Sequence, residues 1–224
     1  MKRALLVLAM SAFVAGGAFA QIPLSVGVGG MFTSDFGGGI EASFEGESIM
    51  TAETPYFGGG GFVFFDMFFA QLSLGFFGAG GTVSMSIMGE SGDMDQSLLG
   101  MDIGLMGKFP VAVSPQMTVF PLLGIVYRLV LSGNNTMDGE TMDWDGNDGA
   151  PDASDFSALW FRLGGGLDFA FNQNMFLRTT LTYGIRLANS QENDFVDEFE
   201  APFSASTRLG HGLDFTIGIG FRLN

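Results

Sequence analysis

The sequence predicts an all-β fold, an eight-stranded antiparallel transmembrane up-and-down β-barrel. Three observations predict it. Beyond Lys2 and Arg3, every basic residue (Lys108, Arg128, Arg162, Arg178, Arg186, Arg208 and Arg222) falls on one face of a candidate strand, opposite an apolar face. Tyr127 and Leu129 flank Arg128, Phe161 and Leu163 flank Arg162, and Ile185 and Leu187 flank Arg186. Successive strand residues point to opposite faces, so this pattern separates a greasy face from a polar one. The connections between strands alternate between short and long. No stretch after the first twenty residues is a convincing membrane helix: the best, Phe62 to Gly80, is interrupted by Asp66 and Gln71.

Residues 1–20 read as a signal peptide. Lys2 and Arg3 supply the charged start, Leu5 to Val14 the apolar stretch, and Ala18-Phe19-Ala20 the cleavage site. The barrel is then residues 21–224. Without Lys2 and Arg3 the nine bases fall to seven, and against 24 acids the formal charge is −17. Nucleic acid is excluded as a partner, because phosphate contacts need clustered Lys and Arg. The absence of cysteine excludes disulfides and thiolate metal sites.

The eight strands are expected as follows. The first, Leu24–Thr33, sets Leu24, Val26, Val28 and Phe32 against Ser25, Gly27 and Gly29. The second is Tyr56–Phe65, where four glycines blur the alternation. The third, Phe69–Gly80, sets Ala70, Leu72, Leu74 and Phe76 against Gln71, Ser73 and Gly75. The fourth, Leu98–Phe109, sets Leu99, Met101, Ile103, Leu105 and Phe109 against Gly100, Asp102, Gly104 and Lys108. The fifth is Met117–Leu131, with Pro121 signalling a bulge or a delayed start. The sixth, Ala158–Phe171, sets Leu159, Phe161, Leu163, Leu167 and Phe169 against Arg162, Gly164, Gly166 and Asp168. The seventh is Met175–Leu187 and the eighth Thr207–Leu223. Each is long enough to cross a bilayer when tilted.

Short turns are expected at Asp66–Phe68, Pro110–Gln116 and Asn172–Asn174, and long loops at Ser34–Pro55, Thr82–Ser97, Ser132–Ser157 and Ala188–Ser206. Twenty of the 24 acids fall in the four long loops. A soluble barrel would turn the apolar face inward. Its outside would then carry mostly Gly, Ser and Thr, too bare for a water-facing surface.

The last strand carries Thr216, Gly218, Phe221 and Leu223, the polar-x-Gly-x-x-apolar-x-apolar pattern of a terminal assembly signal. With this ending, eight strands and a signal peptide, the chain resembles the small outer-membrane barrels: the OmpA membrane domain, OmpX and OmpW. It departs from them in ending on Asn224, where members often end on an aromatic residue. The resemblance implies an outer-membrane location in a diderm bacterium, contact with lipid and with the assembly machinery, and exposed loops. It leaves adhesion, envelope integrity and small-solute passage open.

The candidate chemistry is sparse. His211 is the lone histidine; parity puts it on the apolar side near the loop end, and no enzyme is expected. Asp143, Asp145 and Asn147 stand at alternate positions like the start of a calcium loop. The usual Gly is Asp148, however, and the twelfth position is Ser154 rather than Glu. The glycine runs Gly37–Gly39, Gly58–Gly61 and Gly164–Gly166 lack the helix and Lys-Ser/Thr of a phosphate loop. No cofactor is expected.

The lumen charges are the best-specified constellation. Parity gathers Asp102, Asp168 and Asp214 with Lys108, Arg128, Arg162, Arg178, Arg186, Arg208 and Arg222. A turn centred on Gln173 places Asp168 opposite Arg178, so an ion pair is expected there. Asp102 lies on the strand next to Arg128 but too far along it for contact, so the arginines are expected to pair with loop carboxylates. An eight-stranded bore is narrow enough for side chains to fill. The expectation is a monomeric, plugged barrel that acts at the surface through acidic loops, binding an extracellular ligand or divalent cation. The alternative is a narrow channel for small or hydrophobic solutes.

Overall fold

Alternation carries the chain into eight long strands: β1 (Leu24–Phe36), β2 (Tyr56–Met67), β3 (Ala70–Ile87), β4 (Glu90–Lys108), β5 (Met117–Met137), β6 (Ala158–Ala170), β7 (Met175–Asn189) and β8 (His211–Leu223). The structure is a computed structural model and describes residues 24–36, 38–44, 47–53, 55–87, 90–137, 139–146, 152–189 and 203–223. The expected signal peptide lies outside these residues. Each strand pairs antiparallel with its sequence neighbours, and β8 pairs with β1 from Leu24↔Leu223 to Phe36↔His211. The ring is therefore closed, which leaves no edge of the wall unpaired.

The two faces follow the sequence parity. Val28, Leu123, Leu181 and Phe215 are among many large apolar side chains exposed on the outside, while Ser25, Asp102, Arg128, Asp168 and Arg178 are buried inside. Aromatic rings gather at both ends of this apolar band. Phe68, Phe69 and Phe109 form a chain of ring contacts at the short-turn end; Phe36 and Tyr183 stack on His211 at the loop end. Such belts sit at the headgroup level of a bilayer. No helix among the described residues is long and apolar enough to cross a membrane; here the strands make the crossing.

Several expectations are corrected. The first turn is not Asp66–Phe68 but the two residues Phe68-Phe69, with Met67 paired to Ala70 and Phe68 at φ 51°. Asp66 thereby becomes a wall residue that faces the bore. Pro121 causes neither a bulge nor a delayed start. It stands where the β4 ladder ends, with Phe109 N–H donating to its carbonyl at 3.3 Å, so its missing N–H costs little. The turn after β4 centres on Pro115 rather than Val113: Ser114 Oγ accepts from the Gln116 and Met117 N–H groups, and a short strand Val111–Ala112 continues the hairpin. That recentring slides the β4–β5 register and sets Asp102 directly opposite Arg128.

The long loops are also more regular than expected. β3 and β4 stay paired to Ile87↔Glu90, and β5 runs on to Met137 before pairing with Glu140–Asp143. Gly39–Phe44 pairs with Glu47–Glu53, which pairs with the end of β3. The eighth wall strand begins at His211, not Thr207, because Phe203–Arg208 is a separate strand paired to Gly39–Phe44. The wall thus rises past its apolar band into a crown of short strands. On its inner side Trp144 stacks on Phe156 at 4.1 Å, packs with Val130, Ala153 and Leu98, and donates from Nε1 to Asn135 at 2.9 Å.

Candidate functional site

The bore holds two layers of ion pairs. The layer nearer the short turns is built from β2, β4, β6 and β7. Arg178 is 0% exposed. Its guanidinium grips Asp168 in a fork at 2.7 Å on both arms, and Asp66 at 2.7 and 3.0 Å. Nη1 also donates to Gln71 at 3.2 Å. Lys108 Nζ lies 2.7 Å from Asp66 and 3.4 Å from Asp168, and Ser25 Oγ donates to Asp66 at 3.0 Å. The expected Asp168–Arg178 pair is present in direct cross-strand register. Fork geometry of this kind gives arginine–carboxylate pairs both strength and orientation.

Rings seal this layer. Arg178 lies over Phe64 at 4.2 Å and over Phe120 and Phe176 at 5.1 Å, and Lys108 lies over Phe120 at 4.3 Å. Cation–ring attraction strengthens when water is excluded. The bore is therefore not lined only by small and polar residues: Phe62, Phe64, Phe77, Phe120, Trp160 and Phe176 are buried in it.

The layer nearer the loops joins β1, β4, β5, β6 and β8. Arg128 grips Asp102 at 2.8 and 2.9 Å, Asp35 at 2.6 Å and Thr33 at 3.0 Å. Arg162 bonds Asp102 at 3.3 Å and Asp214 at 2.7 Å. The arginines thus pair chiefly with wall carboxylates. Asp35, which the sequence reading assigned to the first loop, is one of them, next to the last residue of β1. Arg128 also lies over Phe77 at 4.5 Å. Among the described residues, three buried polar atoms have no hydrogen-bond partner: Trp160 Nε1, Arg162 Nε and Asp214 Oδ1, the last lying 3.7 Å from Arg128 Nη2.

The remaining sequence candidates lie elsewhere. Arg186 is half-buried on the bore side of the loop end, beside Gly38 and Gly210. Arg222 lies near the short turns, donating to the Gln173 carbonyl at 3.2 Å beneath Phe176. The side chain of Arg208 is outside the described residues. Thr216 and Gly218 face inward, with Thr216 bonded to Thr180 at 2.6 Å, while Phe221 and Leu223 face outward. His211 shares a 2.6 Å hydrogen bond with Tyr183 on the outer face.

Asp143 and Asp145 are exposed, and Asn147 lies outside the described residues. Asp145 bridges by its backbone to Asp152. Asp152 is occupied as a helix cap: the Ser154 N–H at 2.7 Å holds its carboxyl below the usual range. Among the described residues no group of three acidic or His side chains could hold a metal ion.

Sequence reading missed Asp66 and Asp35 as members of the bore, while Gln71 lies on the polar face where alternation placed it. No sequence signal marked Asp66 as inward, because Phe62-Val63-Phe64-Phe65 before it is apolar at every position.

A closed ring of eight up-and-down strands, an apolar outer band and a charge-filled interior define a membrane-spanning β-barrel of the small outer-membrane type. Among solved structures, the outer membrane protein OprG from Pseudomonas aeruginosa is similar at 13% identity, over 91% of this chain and 97% of that one, with a TM-score of 0.47. Neisserial surface protein A is similar at 11% identity over 86% and 97%, with a TM-score of 0.42. The outer membrane protease OmpT from Escherichia coli is similar at 6% identity over 90% and 97%, with a TM-score of 0.48. No protein-family model matches the sequence, and none of the curated proteins compared with it does.

Proposed function

We propose that this is a closed outer-membrane barrel that acts at the cell surface, through its acidic crown, as a structural or interaction protein. The observation that carries the closed bore is Arg178, fully enclosed and bonded at once to Asp66, Asp168 and Gln71 from three other strands. A charge held so can leave only if its partners are left unpaired, which is costly in a low-dielectric interior. The crown presents Asp93, Asp95, Glu140, Asp143 and Asp145 around a folded Trp144–Phe156 contact, a surface suited to a cationic partner. Residues 1–20 serve as the export signal, and Thr216, Gly218, Phe221 and Leu223 as the handle for the assembly machinery. The narrow-channel alternative requires both ion-pair layers to part.

Planar-bilayer recordings test the closed bore: the unmodified protein is expected to conduct poorly, and large, stable, anion-selective channels would refute it. Binding of cationic peptides, with each long loop shortened in turn, tests the crown. Binding that survives every loop deletion would refute a role for it.

A further inference from the structure

The outer face of the wall does not stop where the apolar band stops. At the top of that band Phe76, Leu99 and Leu131 are exposed on β3, β4 and β5. The same alternation carries these strands up into the crown, where the outward side chains turn polar and line up straight across the sheet. Thr82 pairs with Asp95, Asp95 with Thr136, and Thr136 with Thr141. Ser97, Asn134 and Asp143 form the row below, and Ser84 with Asp93 the row above. On the inward side at these levels Val83, Gln96 and Trp144 are buried, so the crown keeps two distinct faces. Successive rows lie about 7 Å apart along a strand, and four strands span about 14 Å. The outward face is therefore a broad patch rather than a single contact.

Hydrogen bonds hold the rows in place. Thr82 Oγ1 donates to Asp95 at 2.8 Å, Ser84 Oγ to Asp93 at 2.9 Å and Ser97 Oγ to Asn134 at 2.9 Å, and the Thr136 and Thr141 hydroxyls share a bond of 3.2 Å. These rotamers are set before any partner arrives, which lowers the cost of ordering them on binding. Each bond uses only part of the capacity, since an ionised carboxylate offers roughly four acceptor sites and a hydroxyl both donates and accepts. What the face presents is mainly acceptors, which suits a partner rich in hydroxyl donors. Phosphate is a poor fit: residues 79–107 and 129–161 contain no Lys or Arg, and the carboxylates repel it. An apolar partner would strip water from polar groups and give nothing back. Position then selects the source. This face continues the one that meets acyl chains, so above the chains it meets the headgroups of the same lipids.

We propose that the outward face of the crown on β3, β4 and β5 docks the sugar headgroups of outer-leaflet glycolipids, holding their hydroxyls against the Thr82–Asp95–Thr136–Thr141 row and its neighbours. The inference rests on the reading of the crown as an interaction surface and deepens it. The outward face belongs to the glycan of the membrane, and Glu140 and Asp145 are left to a cationic partner. The test uses the intact barrel, with threonine methyls labelled, in nanodiscs of phosphatidylcholine with and without a neutral digalactosyl lipid. Sugar-ring protons are expected to give nuclear Overhauser cross-peaks to the Thr82, Thr136 and Thr141 methyls. In native mass spectrometry the glycolipid should be retained over phosphatidylcholine by about fivefold, the worth of one net hydrogen bond. Thr136→Val with Thr141→Val keeps the shape and removes two hydroxyls, and should bring that ratio close to one. Cross-peaks to choline protons in place of sugar protons, or equal retention of the two lipids by the unmodified protein, would overturn the proposal. So would an undiminished ratio in the double variant. The same cross-peaks from free digalactose at equal concentration would overturn the membrane as the source. Cationic-peptide binding reads Glu140 and Asp145 separately, so its failure beside intact sugar contacts would refute the cationic partner alone.

Discussion

Replacing Arg178 by Met removes one positive charge from a layer in which Lys108 and Arg178 balance Asp66 and Asp168. One cation would then face two buried carboxylates. Methionine fills much of the space against Phe64, Phe120 and Phe176, so the loss is mainly electrostatic. Breaking a buried pair by removing one partner costs about 3–5 kcal/mol, because an uncompensated charge is left behind. The structure also dictates the cure. Asp66→Asn in the same chain leaves Lys108 facing Asp168, already 3.4 Å apart, and restores neutrality. The double variant is expected to be more stable than Arg178→Met alone, with a coupling within the roughly 0.5–3 kcal/mol usual for residues in contact. Reversible denaturant unfolding in detergent micelles, followed by the fluorescence of Trp144 and Trp160, reads both quantities. A single-variant loss below about 1 kcal/mol would mean that the layer is solvated rather than sealed. A double variant less stable than the single would refute the charge-balance argument.

Other expectations follow from the same geometry. Changing Arg128 and Arg162 both to Ala opens only the loop-side layer, so planar-bilayer conductance should stay near that of the unmodified barrel; a large rise would show that the Arg178 layer does not close the bore. A Cβ at Gly133 would intrude on the Trp144 indole, so Gly133→Ala should expel that ring and raise its quenching by acrylamide in a Trp160→Phe background. Unchanged quenching would show that Trp144 is not packed there. Calcium should bind the third long loop weakly, since Asp152 caps a helix and Asp145 is exposed. Calorimetry revealing a tight site lost in Asp145→Ala would overturn this.

The strand count, the two faces and the Asp168–Arg178 pair were legible because each depends only on parity and on a short, well-marked turn. What was illegible had specific causes. Phe62-Val63-Phe64-Phe65 is apolar on both faces, so alternation is silent there. The inward Phe62 and Phe64 could not be told from lipid-facing residues, nor Asp66 from a turn residue. The Asp102–Arg128 contact depends on where one turn is centred, and a shift of two positions keeps parity while changing every partner. The crown strands have no lipid face, so their pattern of Ser, Thr, Asp and Met reads as loop. Asp35 was lost with them, since its strand outlasts its apolar alternation.

The seam between β1 and β8 joins the ends of the described chain, and the ion-pair layers draw on strands far apart in sequence: Asp66 meets Arg178 across 112 positions. Contacts of such separation form late, after the intervening chain has been ordered. No layer can reach neutrality from a single hairpin, because Asp66 sits on β2, Lys108 on β4, and Asp168 and Arg178 on β6 and β7. Asp168–Arg178 and Asp102–Arg128 pair within hairpins, but a half-built sheet would leave Asp66, Lys108, Arg162 and Asp214 without their partners beside hydrocarbon. Curling the sheet shut and entering the bilayer should therefore be one concerted event, with the wall held away from lipid until its last strand is in place. The bore's charges then act as a checkpoint on assembly, letting the wall enter the membrane only as it closes.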